Sequence, residues 1–133
     1  MRENGSFDDQ PFEETAALLK VLADPNRLRI LDVLMAGTSC NGELNDRLGL
    51  PPNLLSHHLR TLQRAGLITR RRDTLDGRWI YYSVNQAAVS RWQHWFGHFL
   101  DPARIQQRCL CGPEGQQLAA DNAPNPIPIT LGS

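Results

Sequence analysis

The sequence predicts a mainly α-helical domain with a small β-hairpin, arranged as a winged helix-turn-helix. Apolar residues recur at helical spacing through the first half of the chain, and two of the resulting helices are joined by a short turn that contains glycine. After Gly66 the apolar period changes from the helical 3.6 to 2, which is typical of a hairpin. With 133 residues, of which 41% are hydrophobic, the chain can bury one core.

Four helices come first in the predicted order. Their apolar residues place them over residues 12–23, 25–36, 39–48 and 53–65. Asp24 is expected to cap the second helix and Thr38 or Ser39 the third, because short polar side chains bond the free amides of a first turn. Gly49 and Gly66 are expected to end the third and fourth helices in the left-handed conformation.

A hairpin and a fifth helix complete the predicted domain. The strands are expected over residues 67–73 and 78–84, with Asp76-Gly77 as the turn signal at their tip. The fifth helix, residues 86–100, carries a broad stripe of large aromatic side chains. Beyond it the sequence predicts one more short helix to about residue 108. From Gly112 onward, frequent Pro, Gly, Asn and Gln predict a flexible tail.

Charge is distributed unevenly although the chain as a whole carries a formal net charge of zero. Residues 1–46 contain four basic and nine acidic residues, whereas residues 47–82 contain seven arginines and two aspartates, a local net charge of +5. All seven cations are arginine, whose planar fork suits phosphate and guanine edges better than a lysine does. The hairpin and the helix before it therefore form a candidate nucleic-acid surface.

The sequence disfavours a membrane-spanning protein and a secreted protein that is stabilised by disulfides. No apolar run approaches the ~20 residues of a membrane span, and the first ten residues are acidic and polar, without a signal-peptide core. Three cysteines are an odd number, which favours reduced thiols over a disulfide framework. We therefore expect a cytoplasmic protein that does not contact a membrane.

Eight polar residues on the fourth helix and the hairpin are the candidate DNA contacts. In the helix, Leu55 and Leu59 fall on one face, so the polar side chains on the opposite face can reach base edges or phosphates. Arg60 is the best base-reading candidate, and His58, which flanks Leu59, is expected to face the core. Arg78 at the wing tip is expected to contact the DNA backbone. The full set is Asn53, Ser56, His57, Arg60, Arg64, Arg70, Arg72 and Arg78.

The segment Ser56-His57-His58-Leu59-Arg60, followed by Leu62, Ala65-Gly66-Leu67-Ile68 and the arginine-rich hairpin, resembles the ArsR/SmtB family of winged-helix repressors, of the arsenic-responsive type. The resemblance runs from about residue 12 to residue 100. It implies a homodimer that places two recognition helices in successive major grooves of a two-fold symmetric operator, about 34 Å apart. Pro51-Pro52 departs from the family, which usually has polar capping residues there.

The chain is expected to consist of four parts. We expect a flexible N-terminal arm at residues 1–11, a winged-helix domain for DNA binding and dimerisation at 12–100, a C-terminal extension with a cysteine pair at 101–111, and a flexible tail at 112–133. The aromatic stripe is large for so small a domain, which favours a dimer interface, although packing against its own core is the alternative. The interface candidates are Leu18, Leu22, Trp92, Trp95, Phe96 and Phe99.

The three cysteines are the candidate inducer site. In the family the inducer is often a soft metal or metalloid held by thiolates, and many members carry Cys-Val-Cys where this chain has Cys40, Asn41 and Gly42. Cys109 and Cys111 can offer two sulfurs to one ion if their segment is extended, and Cys40 could supply a third. Three thiolates suit As(III) or Sb(III), and Pb(II) also fits. Cd(II) would need a fourth donor, for which His94 and His98 are candidates.

Two alternative hypotheses assign the thiols a role other than metalloid binding. The same repressor could use its cysteines as a redox or persulfide switch that links Cys40 to the C-terminal pair. A small thiol enzyme with a Cys40–His57 pair is the remote alternative. The chain has no phosphate-binding glycine loop and no βαβ pattern around a Cys-x-x-Cys, so we do not expect an enzyme. The zinc site that some members carry at the start of the fifth helix is also missing, since Asn85-Gln86-Ala87-Ala88 stands there.

Overall fold

The computed structural model describes residues 12–120, with side chains as far as residue 117. The chain divides into two compact units between Phe96 and Gly97. The elements in chain order are α1 (Phe12–Leu22), α2 (Pro25–Met35), β1 (Ser39–Cys40), α3 (Asn41–Leu48), α4 (Pro52–Arg64), β2 (Ile68–Arg72), β3 (Ile80–Val84), α5 (Gln86–Phe99), a 3-10 turn (Pro102–Arg104) and α6 (Pro113–Ala120). The predicted winged helix-turn-helix is confirmed, with α3 and α4 as the helix pair and β2 and β3 as the wing.

The wing hairpin belongs to a three-stranded antiparallel sheet in the order β1-β3-β2. Ser39 pairs with Tyr82 and Cys40 with Tyr81. The predicted helix start at residue 39 or 40, with Thr38 or Ser39 as its cap, is therefore wrong. Long-range pairing with β3 holds these two residues extended, so α3 begins at Asn41. Its first turn is closed by the Cys40 amide, which donates to Glu43 Oε1 at 2.9 Å.

The other predicted helix ends lie where the local sequence places them. Asp24 Oδ1 accepts hydrogen bonds from the amides of Asn26 (2.8 Å) and Arg27 (3.2 Å), which confirms it as the cap of α2. Gly49 and Gly66 end α3 and α4 with φ of 66° and 77°, the left-handed conformation in which a side chain is strained. These two turns set the directions in which α4 and the wing leave the domain.

A continuous apolar core positions the helix pair. Leu55, Leu59 and Leu62 of α4 are buried among side chains of α1, α2, α3 and the sheet, as the spacing predicted. The four fully buried large side chains are Ile30, Leu44, Leu62 and Ile68. Because each comes from a different element, the core joins both helices of the pair to the wing.

His58 lies on the buried face of α4 and makes a polar contact that the apolar spacing alone does not predict. Its side chain is almost fully buried, at 5% exposure, as expected for a core histidine. Arg27 Nη1 donates to His58 Nδ1 at 3.0 Å, and Arg27 Nε donates to Val21 O at 2.6 Å. Since a guanidinium has no acceptor, Nδ1 is unprotonated and the neutral ring carries its proton on Nε2, 4.0 Å from Asp24 Oδ1. Arg27 thus joins the end of α1 to α4.

Burial lowers the pKa of His58 below its ordinary value of 6.5, and the nearby Arg27 and His57 lower it further while Asp24 opposes them.

The aromatic stripe of α5 is only partly used within the first unit. Trp92 and Phe96 pack against the core, as do Leu22 and the buried Leu18 of α1. Trp95 is buried among aromatic rings, in edge-on contact with Phe12, Trp92 and Phe96 at ring distances of 5.0 to 6.4 Å. The alternative of packing against the chain's own core is therefore correct for part of the stripe.

The second unit contains the end of α5, the 3-10 turn and α6. The short helix expected to reach about residue 108 is limited to Pro102–Arg104, where Asp101 caps the turn by accepting from the Ala103 amide at 2.9 Å. The tail predicted from residue 112 differs too, since α6 begins at Pro113 with Glu114 in its first turn, both favourable at a helix start. The predicted arm at residues 1–11 and the tail beyond residue 120 lie outside the described residues.

A pH titration of stability tests the His58 contact. The folded state holds His58 with a lowered pKa, so the unfolded state binds more protons, and the free energy of unfolding should fall as the pH falls below 6.5. In His58→Gln this part of the pH dependence should be lost, measured by urea unfolding at several pH values. His94→Gln removes one exposed imidazole as a control. An equally steep decline in His58→Gln would contradict the assignment.

Candidate nucleic-acid interface

The exposed face of α4 carries five of the eight predicted DNA contacts. These side chains recur at positions three, four or seven residues apart, so they lie on one face, opposite Leu55, Leu59 and the buried His58. All five are exposed, and they are Asn53, Ser56, His57, Arg60 and Arg64. The structure thus gives α4 one apolar face against the core and one polar face that can approach a nucleic acid.

The start of α4 has few free amides. Pro51 and Pro52 occupy the cap and the first helical position, and the cap has no side-chain hydrogen bond. Proline lacks an amide hydrogen, so only the amides of Asn53 and Leu54 remain for an anion, since the Leu55 amide already donates to Pro51 O at 2.9 Å. Phosphate contact at this end therefore depends more on side chains than in an ordinary helix start.

Three arginines keep their guanidinium groups available. Within residues 12–117, Arg60, Arg64 and Arg70 form no ion pair, hydrogen bond or ring contact through these groups. Two of them lie on α4 and the third on β2 of the wing. An unpaired exposed guanidinium is ready for a phosphate or base edge without first breaking a contact.

The wing arginines alternate between the two faces of the hairpin. Arg70 and Arg72 lie on the face of the buried Tyr82, whereas Arg71 faces the other way, with its guanidinium 5.1 Å from the centre of the Tyr81 ring. This confirms the expected alternation. Arg72 donates from Nη1 to Gly77 O at 2.7 Å, so it also supports the turn.

The wing tip is organised by Asp73, which the sequence did not single out. Asp73 Oδ1 accepts from the amides of Leu75 (2.7 Å) and Asp76 (3.0 Å), and Oδ2 accepts from the Tyr81 hydroxyl at 2.6 Å. The Tyr81 bond, followed by the two amides, lowers the pKa of Asp73. The sequence signal for this role is the position of Asp73 at the start of the turn, because an Asp there commonly accepts a hydrogen bond from the backbone amide two residues later.

Arg78 at the wing tip is engaged within the hairpin. Its Nε and Nη2 donate to the two carboxylate oxygens of Asp76 at 3.1 and 2.9 Å, although the Arg78 side chain is 87% exposed. A forked pair of this kind cancels the charge of both groups at the tip. Contact between Arg78 and DNA thus requires the guanidinium to share or leave this carboxylate.

Cys40 is buried at the junction of β1 and α3, at 7% exposure. A Cβ placed on Gly42 would lie 3.8 Å from Cys40 Sγ. The position that carries the second thiol in the family's pair therefore borders the first thiol directly, and this chain leaves it without a side chain.

Cys109 and Cys111 are both exposed, in the second unit. Their segment lies against α6, where a Cβ on Gly115 would overlap the carbonyl of Leu110, so only glycine admits this approach. Among the described residues, no group of three or more His, Cys, Asp or Glu side chains is close enough to hold a metal ion. His94 and His98 are exposed on α5.

The remaining candidate for the dimer interface, Phe99, is half-buried. Two further apolar side chains of α1, Phe12 and Leu19, are exposed. In the described part of the chain, every helix is too short or too polar to span a membrane.

Comparison with known proteins agrees with this geometry. The sequence model of the family described as "Bacterial regulatory protein, arsR family" matches residues 24–70, which include both helices of the pair and the start of the wing. The chain is 31% identical over 84 residues to the transcriptional repressor SdpR of Bacillus subtilis (strain 168), a match that covers 63% of this chain and 90% of that protein.

Two further similarities extend the comparison. The chain is 36% identical over 78 residues to an arsenical resistance operon repressor of Staphylococcus aureus, covering 59% of this chain and 72% of that one. Among solved structures it is similar to NolR from Sinorhizobium fredii, with a TM-score of 0.54, 33% identity and coverage of 65% and 84% of the two chains. The chain belongs to the ArsR family, and it is a DNA-binding transcriptional repressor rather than an enzyme.

Proposed function

We propose that this repressor is a cytoplasmic homodimer that binds a two-fold symmetric operator and is released from it by a thiophilic metalloid, As(III) or Sb(III) first, with Pb(II) or Cd(II) as further candidates. The observation that carries the DNA-binding part is the set of unpaired guanidinium groups of Arg60, Arg64 and Arg70 on α4 and the wing. Three cysteines that form no disulfide fit a reducing compartment.

Each group of side chains has a distinct part in operator binding. Asn53 at the start of α4 and Arg60, two turns later on the same exposed face, are assigned to base edges in the major groove. Ser56, His57, Arg64 and the wing arginines Arg70, Arg72 and Arg78 are assigned to phosphates or the adjoining groove. Dimerisation is assigned to the half-buried side chains of Leu22, Trp92, Phe96 and Phe99. The other two candidates, Leu18 and Trp95, are buried in the protomer and pack against members of this set. A second copy doubles the contacts and sets the spacing of the two half-sites.

The proposed release by a metalloid is supported by the chemistry of the three thiols and by the names of two similar proteins. Three thiols without a disulfide, two of them exposed in one segment, are the soft donors that trivalent arsenic and antimony prefer. Relatives at 36% and 39% identity are named arsenical resistance operon repressors. When bound, the metalloid would supply bonds to the thiolates of Cys40, Cys109 and Cys111. Because Cys40 is buried, its use as a ligand requires the start of α3 to move.

Cys40 is well placed to transmit such a movement to the DNA-binding surface. It pairs with Tyr81 across β1 and β3. The Tyr81 hydroxyl holds the carboxylate of Asp73, which in turn holds the amides of the wing tip. Displacement of Cys40 would therefore disturb the wing as well as α3, and a coupling of about 1–3 kcal/mol corresponds to ~5–150-fold weaker operator binding.

Two arginine variants test the DNA contacts. On a duplex that the wild type selects from a random-sequence pool, Arg60→Ala should lose about 1–3 kcal/mol and relax the preference at one base pair, since it reads a base edge. Arg70→Ala should weaken binding to all sequences alike and lower the salt slope by about 1, since it contacts phosphate. Anisotropy titrations at several salt concentrations measure both effects. Sedimentation of the complex gives the protomers per duplex.

Arg29→Ala provides the matched control, because this guanidinium is bonded to Asn26 on α2, outside the interface. A uniform loss for Arg60→Ala together with a changed base preference for Arg70→Ala would reverse the two assignments. One protomer per two-fold duplex would contradict the homodimer.

Cysteine variants test the inducer site. Arsenite should release the wild type from the selected duplex, and release should be lost or strongly reduced in Cys40→Ser, Cys109→Ser and Cys111→Ser, because each removes one of three soft donors. Ultraviolet thiolate-to-arsenic absorption gives the binding stoichiometry in the same titration, and magnesium, which thiolates do not bind, is the control. Unchanged release in all three variants would rule out the shared site. Release by peroxide alone, without an effect of arsenite, would indicate the redox switch instead.

A thiol at residue 42 should strengthen the response. Because a Cβ there borders Cys40 Sγ, Gly42→Cys places a second soft donor beside the first, and arsenite should act at about tenfold lower concentration, which corresponds to ~1.4 kcal/mol. Gly42→Ser has nearly the same size but a hard oxygen donor, so it should bring no gain. Equal behaviour of the two variants would show that Cys40 is not a ligand.

A further inference from the structure

The wing tip presents an apolar side chain where a DNA-binding hairpin would be expected to be polar. Leu75, in the middle of the turn between β2 and β3, is 94% exposed, the highest value among the exposed large apolar side chains of the described residues. Trp79, where the turn rejoins β3, is 51% exposed. At this exposure, the leucine side chain is hardly buried at all by the described part of the chain.

The backbone around Leu75 is held firmly. Its amide donates to Asp73 Oδ1, the Asp73 amide donates to Trp79 O at 2.8 Å, and the Trp79 amide donates to Asp76 O at 3.0 Å. These bonds close the turn on both sides of the leucine. Its side chain is therefore presented by an ordered turn, so little backbone entropy would be lost on binding.

Two arginines and two aspartates surround the leucine in the turn. Arg72 donates to Gly77 O, and Arg78 is paired with Asp76, so two guanidinium groups are held at the base of the tip. The Asp76 carboxylate is balanced by Arg78 on both of its oxygens, and the Asp73 carboxylate accepts hydrogen bonds from two backbone amides and the Tyr81 hydroxyl. An apolar tip between arginines matches a narrow groove that has phosphates along its two edges and stacked bases at its floor.

We propose that Leu75 is a wedge that enters the minor groove beside each half-site and partly unstacks one base step, which bends the operator. This inference rests on the proposed binding to operator DNA. Apolar side chains inserted in this way kink a duplex by roughly 20–90°. Unstacking is easiest at pyrimidine–purine steps, so Leu75 would also give the repressor a preference for TA or CA/TG steps where the wing lies.

The wedge differs from a phosphate contact in its salt dependence. Leu75 carries no charge, so its removal releases no counterions and leaves the salt slope of binding unchanged. Loss of a phosphate-binding arginine lowers that slope. The two kinds of wing contact can therefore be separated by titration, whatever the operator sequence is.

The experiment compares Leu75→Ala with the wild type on duplexes that the full-length wild type selects from a random-sequence pool. Leu75→Ala should bind roughly 15- to 60-fold more weakly, the order expected when two or three methylene-sized groups are no longer buried. Its salt slope should match that of the wild type. The bend measured by energy transfer between the duplex ends should decrease, and pools reselected with the variant should lose the pyrimidine–purine steps at the wing positions.

Two further variants complete the design. Met35→Ala removes another exposed apolar side chain, at the end of α2, and controls for a general loss of apolar surface. Leu75→Met keeps the apolar bulk and should restore most of the bend that Leu75→Ala loses. Affinity and bend in Leu75→Ala equal to the wild type, or a changed oligomeric state with unchanged bend, would overturn the wedge while operator binding stands. If the wild type selects no duplex, the proposed operator binding itself fails, and the wedge fails with it.

Discussion

Pairing of two residues, Ser39 and Cys40, with strand β3 is the constraint on which the arrangement of this DNA-binding domain depends. It joins the start of the helix pair to the wing, so that α3 and the hairpin leave one common sheet. The buried apolar face of α4 then rests between them on the core. Without this short strand, α3 and α4 would be connected to the wing only through the chain that runs past Gly66 and through side-chain packing.

This constraint brings the proposed inducer site and the DNA-binding surface into one hydrogen-bonded system. Cys40 and Tyr81 are neighbours in the sheet, and Tyr81 binds the aspartate that shapes the wing tip. In a second set of contacts, Arg27 and His58 connect the end of α1 with α4. The recognition helix is thus supported by polar contacts of known geometry in addition to its leucines. Such contacts have defined partners, so they can be altered one at a time.

Local patterns in the sequence were sufficient to predict most of the helices and the hairpin, because capping, glycine stops and apolar spacing act over a few residues. They were insufficient for Ser39 and Cys40, whose extended conformation depends on a strand some forty residues later in the chain. The helix α6 was missed because the composition of the tail outweighed the proline and glutamate at its start. Of the candidate site, the outward face of α4 and the alternation of the wing arginines followed from periodicity. The roles of Asp73, Arg27 and the Asp76–Arg78 pair required side-chain geometry.

The closed pair between Arg78 and Asp76 has a consequence for the order of events during an encounter with DNA. At long range the wing tip contributes almost no field, because its two opposite charges lie within 2.9 Å of each other. In the proposed binding mode, attraction toward the duplex would then come from the other arginines of α4 and the wing, Arg60, Arg64 and Arg70 among them, and would orient α4 first. The tip would engage afterwards, when nearby phosphates compete with Asp76 for the guanidinium of Arg78. Early capture would therefore be fast and dependent on salt, whereas the final engagement of the wing would determine how long the complex lasts.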